Sequence, residues 1–269
     1  MIGRESDAAA AGPDTARRLV LIGIGAGDPD WLTLEAVRAI QEIDVLFVVL
    51  KEDEYDEPVA FRRDLVARHR ADPVRTVELP DPPRPWRSTP DYPAAVARWR
   101  AQRLEQWGAA VASEVGPGEA GGFLVWGDPS LYESTLAIVN QLATQASDPM
   151  EVRVIPGISC VLALAARHRI PLNRQGRAVQ VSPARLLADG PPEGVDDVVV
   201  MLDGRRTFAA IDPTGLDIYW GAYLGTPDEI LISGSLDVVR DEIVRIRADA
   251  AARKGWMFDT YLLRRRVHR

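Results

Sequence analysis

A chain of 269 residues that is 46% hydrophobic can fill one large core or two modest ones, and its alternation of strands and helices favours two α/β domains. The formal net charge of −7 argues against binding to DNA or RNA, whose phosphates reward a basic face, although local arginines can still grip a polycarboxylate. A single cysteine, Cys160, excludes an intrachain disulfide and a cysteine-built metal cluster, and three histidines argue against a histidine metal site.

Residues 1–16, rich in Ala, Gly and Asp, show no usable periodicity and read as a mobile leader. They lack the basic and apolar regions of a signal peptide, and no apolar run is long enough to span a membrane, so a cytoplasmic protein with no membrane partner is expected. From Leu19 a near-continuous apolar strand runs into Gly23, Gly25 and Gly27, then Asp28-Pro29, before Thr33 or a neighbour caps a helix over Leu34 to Glu42. Asp44 to Leu50 reads as a buried strand, Pro58 to His69 as a helix and Val74 to Leu79 as a strand. The proline-rich stretch Pro80 to Pro90 can continue neither element and reads as a surface loop. Beyond Asp91 the recurrence of Tyr92, Val96, Trp99, Arg103 and Trp107 predicts a helix to about Val115, its aromatic residues forming a packing stripe.

Phe123 to Trp126 reads as the strand before a second Gly-Asp-Pro at Gly127 to Pro129, and Leu131 to Thr144 as the helix after it. Val152 to Ile155 is a strand ending in Pro156-Gly157, a natural hinge before a helix over Ser159 to Arg167. The expected division is an N-terminal domain over 17–158 and a C-terminal domain over 159–269. In the latter, Arg177 to Val181, Asp197 to Leu202, Asp217 to Leu224, Glu229 to Gly234 and Trp256 to Leu263 read as strands of a mixed sheet. A charged helix is expected between Asp237 and Arg253.

Three strand-end loops rich in Gly, Asp and Pro imply one shared ligand site, because parallel strands present their carboxyl ends along one sheet edge. The glycines at 23 to 27 alone are half a dinucleotide fingerprint at most, and the acidic cluster Glu52 to Glu54 lies beyond the usual βαβ spacing. No Gly-Lys-Ser/Thr follows, which excludes a Walker loop.

Taken together, the Gly-x-Gly-x-Gly-Asp-Pro loop at 23–29, the Gly-Asp-Pro loop at 127–129 and Pro156-Gly-Ile-Ser159 resemble the tetrapyrrole methylases. These enzymes methylate corrinoid and sirohaem precursors with S-adenosylmethionine. The resemblance covers about residue 18 to the end, and implies an α/β tetrapyrrole methylase fold of two α/β domains with the cofactor and substrate cleft between them. The segments 125–132, 165–173, 219–229 and 256–264 narrow the likeness to members that methylate C-1 of a ring-contracted corrinoid, precorrin-5, and release acetate. It also implies a homodimer, S-adenosylhomocysteine as product, and no metal.

Carried over residue by residue, the resemblance makes Pro29, Trp126, Gly127, Asp128, Leu131, Ser159, Cys160, Leu202 and Gly225 the cofactor contacts. Many relatives have a second Gly where Trp126 stands, which puts the local pocket shape in doubt. Asp128 can face the ribose or cap a helix starting near Ser130, and Cys160 reads as a small buried filler because no base is in sight to activate it. Methyl transfer asks mainly for alignment, whereas acetyl loss needs a base or an electrophile, for which Asp28, Tyr132 and Arg167 are the candidates. Arg84, Arg87 and Arg174 are candidates for substrate carboxylates. Arg167, His168, Arg169 and Arg174 could pair with the acetate and propionate arms of the substrate, although 167–169 read more simply as a solvated helix end. The competing readings are a corrin methylase acting at another carbon, a nucleotide-binding oxidoreductase, and a noncatalytic tetrapyrrole carrier.

Overall fold

A computed structural model describes residues 15–50, 56–82 and 91–266. The expected leader therefore falls outside the described residues except at 15 and 16, as does nearly all of the proline-rich loop. The chain divides into two compact units, one comprising residues up to Gly23 and Leu32–Gly157, the other Ile24–Trp31 and Ile158–Arg269.

The first unit is built on strands β1 (Arg17–Gly23), β2 (Val45–Leu50), β3 (Arg75–Pro80), β4 (Ala120–Val125) and β5 (Met150–Ile155). They form one sheet in the order β3-β2-β4-β1-β5, and every pairing is parallel. Parallel neighbours need crossovers, which helices α1 (Leu34–Glu42), α2 (Asp56–His69), α3 (Tyr92–Glu114) and α4 (Thr135–Gln145) supply. Covering both faces buries β1 and β4 along most of their length, which is why they read as apolar runs rather than as alternations. Thr33 caps α1 as expected, its hydroxyl accepting from the Ala36 amide at 3.0 Å.

The stripe on α3 is a packing surface with a charge inside it. Trp99 and Trp107 are buried, and the buried Arg103 guanidinium lies 4.3 and 4.5 Å from their ring centroids. Its Nε is 2.7 Å from Asp81 and it donates to Ser134 Oγ at 2.8 Å. Trp107 and Phe47 both stack on Phe123, which extends this packing to the sheet.

The helix expected from Leu131 starts four residues later. Tyr132 takes a left-handed conformation, φ 52°, which breaks helical geometry, and the Glu133 carboxylate accepts from the Ser134 and Thr135 amides. Glu133, rather than Asp128, satisfies the open amides before α4.

The second unit carries α5 (Cys160–His168), β6 (Val179–Pro183), β7 (Asp197–Met201), β8 (Leu216–Ala222), β9 (Ile230–Ser235), α6 (Leu236–Lys254) and β10 (Asp259–Arg265). Its sheet runs β6-β7-β10-β8-β9, parallel only between β6 and β7, so it is mixed as expected. Because β7 and β8 both run against β10, the carboxyl ends of β6, β7 and β8 share one edge. The last strand begins at Asp259 rather than Trp256, since the Trp256 carbonyl accepts the Tyr223 hydroxyl at 2.6 Å instead of joining the ladder.

At the opposite edge of this sheet, Asp197 is fully buried and accepts from Arg264 Nε at 2.6 Å and Arg174 Nε at 3.1 Å. Removing one member of a buried pair strands the remaining charges. Asp197→Ala should therefore lose about 3 kcal/mol of stability. Urea denaturation checks this, and a loss below about 1 kcal/mol would mean that water reaches the two guanidinium groups.

Candidate functional site

In the first unit, β1 lies between β4 and β5, with Gly23 paired to Val125 and Ile22 to Ile155, so three carboxyl ends finish side by side. The chain leaves β1 toward β2 on one side, while β5 returns on the other, which makes this the topological switch point where open α/β sheets take ligands. The loops meet there backbone to backbone. A Cβ on Gly157 would stand 2.1 Å from the Gly127 carbonyl oxygen and 2.9 Å from Gly23 Cα, and one on Gly23 would stand 2.5 Å from the Gly157 nitrogen. Gly127 has φ 74°, in the left-handed region that favours glycine.

Asp128 ties these loops together. One carboxylate oxygen accepts from the Ser130 amide at 2.8 Å and from the Ser130 hydroxyl, and the other accepts from the Gly157 amide at 2.9 Å. Burial pushes this carboxyl up, but the Ser130 and Gly157 hydrogen bonds together outweigh it and hold the group below its ordinary value. The expected helix-cap role is thus replaced by a loop brace. Trp126 packs its ring on Phe61 of α2 at 5.2 Å, and Leu131 is half-buried in the loop, its amide donating to the Asp128 carbonyl. Tyr132, the exposed residue next in line, belongs to this unit.

In the second unit, the first glycine-rich loop meets the turn after β8. A Cβ on Gly27 would stand 2.6 Å from the Leu224 carbonyl oxygen, and one on Gly225 would stand 2.7 Å from the Asp28 amide nitrogen. Asp28 Oδ1 accepts from the Asp30 amide at 2.9 Å and starts the short 3-10 turn Pro29–Trp31. Its Oδ2 lies 3.7 Å from Arg167, whose Nε donates to Glu229 Oε2 at 3.0 Å. Arg167 also covers the Trp31 ring at 4.9 Å, so this exposed residue in the last turn of α5 is ion-paired as well. His168 faces inward with Nε2 3.0 Å from the Trp220 carbonyl, and burial lowers its pKa.

Along the shared edge of β6, β7 and β8 stand Leu202 after β7 and Gly225 after β8. Leu202 is 61% exposed and held at φ 57°, an uncommon conformation for a leucine that presents an apolar side chain outward. Ser159 is the buried N-cap of α5, yet its hydroxyl caps no helix amide. Cys160, the first residue of α5, has its thiol pushed up to about 11 by burial, against the pull of nearby amides and of Thr260.

Two of the carboxylate-binding candidates, Arg84 and Arg87, lie outside the described residues. The third requires a correction. Arg174 donates to Asp197 at the start of β7 and to the Arg265 carbonyl at the end of β10, which places it at the edge opposite Leu202 and Gly225. Its Nε and Nη1 are engaged within the fold. Sequence reasoning missed Glu229, Glu133 and the steric role of Gly157. Only Gly157 left a signal, in its Pro-Gly motif at a strand end.

Cys160 offers a check on the local chemistry. With a pKa near 11, about one part in a thousand is thiolate at pH 8, so the native protein should react with a thiol reagent at least a hundredfold more slowly than after unfolding. Equal rates for the native and unfolded protein would show an accessible, activated thiol.

Comparison with known proteins places these features in a lineage. The sequence profile of the Tetrapyrrole (Corrin/Porphyrin) Methylases matches residues 18–239. The chain is 43% identical over 251 residues to the precorrin-6A synthase [deacetylating] of Sinorhizobium sp., covering 93% of this chain and 95% of that one. A solved structure of a cobalamin synthesis related protein (CobF) from Corynebacterium diphtheriae superposes with a TM-score of 0.81 at 30% identity, over 93% of this chain and 99% of the other. A uroporphyrin-III C-methyl transferase from Thermus thermophilus, solved with S-adenosyl homocysteine, shares the fold with a TM-score of 0.56 at 19% identity, over 91% of each chain. The chain belongs to the tetrapyrrole methylases.

Proposed function

We propose that this protein is an S-adenosylmethionine-dependent C-methyltransferase that methylates C-1 of precorrin-5 and releases acetate, giving precorrin-6A in cobalamin biosynthesis. The observation that carries the reading is the 43% identity to a deacetylating relative over 93% of this chain and 95% of that one. A corrin methylase acting at another carbon would share the cofactor loops without that likeness. Family membership also removes the oxidoreductase alternative.

The chain's own residues fit such a cofactor. The backbone of Gly127 carries no side chain to obstruct a ligand, and the outward Leu202 suits the face of an adenine. In this reading Trp126, Gly127, Asp128, Leu131, Pro29, Ser159, Cys160, Leu202 and Gly225 are the cofactor contacts. S-adenosylmethionine supplies an electrophilic methyl group, so the protein's task is to orient the donor and exclude water. Acetyl loss requires more, and Asp28 is the proposed base. Its Oδ1 accepts the Asp30 amide at 2.9 Å, and its Oδ2, 3.7 Å from Arg167 and so the less tightly held, is the oxygen that would take a proton from water. Tyr132 is the next candidate, as a hydroxyl donor to a developing oxyanion.

Anaerobic incubation with precorrin-5 and methyl-labelled S-adenosylmethionine should yield one labelled corrinoid and one acetate per turnover. Methylation without acetate would point to another ring carbon, and tight corrinoid binding without turnover to a carrier. Asp28→Asn should keep its affinity for S-adenosylhomocysteine within about threefold while acetate release slows by about a hundredfold or more. Wild-type acetate release in that variant would move the base to another residue.

The working form is proposed to be a cytoplasmic homodimer, in line with the family resemblance. Light scattering at micromolar concentration should give twice the chain mass of 29.6 kDa, and a monomer at all concentrations would refute the dimer.

A further inference from the structure

Glu229 Oε2 accepts two hydrogen bonds, from the Gly225 amide at 2.7 Å and from Arg167 Nε at 3.0 Å. Arg167 in turn sits 3.7 Å from Asp28 Oδ2 and over Trp31, while Asp28 Oδ1 starts the 3-10 turn that contains Pro29. A continuous path thus runs from the turn at Gly225, through one carboxylate and one guanidinium, to the loop at Asp28 and Pro29. The two loops also touch directly, since a Cβ on Gly225 would stand 2.8 Å from the Trp31 ring and 3.0 Å from Asp28 Cβ.

We infer that Glu229 and Arg167 are a positioning pair that holds the Gly225 turn and the Asp28-Pro29 loop in register for the methyl donor, and that Arg167 is not a substrate-carboxylate anchor. This rests on the proposed function, in which both loops serve the cofactor. The charges are already matched within the chain, although Arg167 is exposed. Arg167 faces two carboxylates, Asp28 and Glu229, so an incoming substrate carboxylate would have to displace one of them. Glu229 uses one oxygen for both partners, and a neutral side chain there keeps the shape but weakens two charge-assisted hydrogen bonds at once.

The pair makes a prediction that a merely stabilising contact would not. Calorimetric titration with S-adenosylhomocysteine should show about tenfold weaker binding in Glu229→Gln and in Arg167→Met. The double variant should be no weaker than either single one, because both break the same link. In turnover assays the cofactor KM should rise about tenfold, while the substrate KM changes less than threefold. Arg167→Lys, which keeps the charge but loses the fork, should fall between wild type and Arg167→Met and guards against a methionine variant that fails to fold. Affinity within twofold of wild type in folded Glu229→Gln and Arg167→Lys, or multiplicative losses in the double variant, would overturn the pair. A raised substrate KM at unchanged cofactor KM would restore Arg167 as a substrate anchor. If wild-type protein itself binds no S-adenosylhomocysteine, the proposed function fails first, and this inference falls with it.

Discussion

Where Gly23, Gly127 and Gly157 meet, backbone must touch backbone. A single added carbon at Gly157 would lie 2.1 Å from a carbonyl oxygen that cannot rotate away, because that oxygen belongs to a loop end fixed by its own strand. This close approach brings the ends of β1, β4 and β5 together, and Asp128 locks it by accepting the Gly157 amide. The all-parallel sheet beneath exists in a form that makes the approach possible: β4 and β5 flank β1 on opposite sides, so their loops open over the same strand end. Pro129 presses into the same spot, its Cδ 3.0 Å from where a Gly23 side chain would begin.

The second unit repeats the device with different chemistry. Gly27 and Gly225 let the first glycine-rich loop and the turn after β8 interlock, and here the lock is an ion pair, Arg167 with Glu229, rather than a carboxylate on an amide. The sheet separates tasks by edge. Outward Leu202 and the Gly225 turn occupy the edge where β6, β7 and β8 end, while the buried Asp197, Arg174 and Arg264 cluster stabilises the other. Charged residues on the two edges therefore read alike in sequence but serve different ends: one set shapes loops and the other replaces water inside the fold.

Much of this was legible from the chain. Apolar runs such as Leu19 to Ile22 and Val45 to Val48 announce strands buried on both faces, and Thr33 before Leu34 announces a capped helix. The Gly-Asp-Pro and Pro-Gly motifs pointed to strand-end loops, where the structure has them, and the family resemblance pointed to the methylase fold, which the comparisons bear out. What the chain concealed is long-range pairing. Asp128 looked like a cap because caps are local, yet its partner Gly157 lies 29 residues away, and the capping role passed to Glu133. Arg174 looked free to hold a ligand because Asp197, 23 residues on, carries no local mark as its partner. Glu229 went unnoticed for the same reason, since Arg167 precedes it by 62 residues.

The account stands or falls on whether these interlocked loops hold the methyl donor. Amide hydrogen exchange of the wild-type protein with and without saturating S-adenosylhomocysteine tests it directly. The account predicts slowed exchange at 24–31, 126–132, 158–162 and 223–226, with little change at 172–178 around Arg174, on the opposite edge of the second sheet. Protection at 172–178 with none at 126–132 would contradict it.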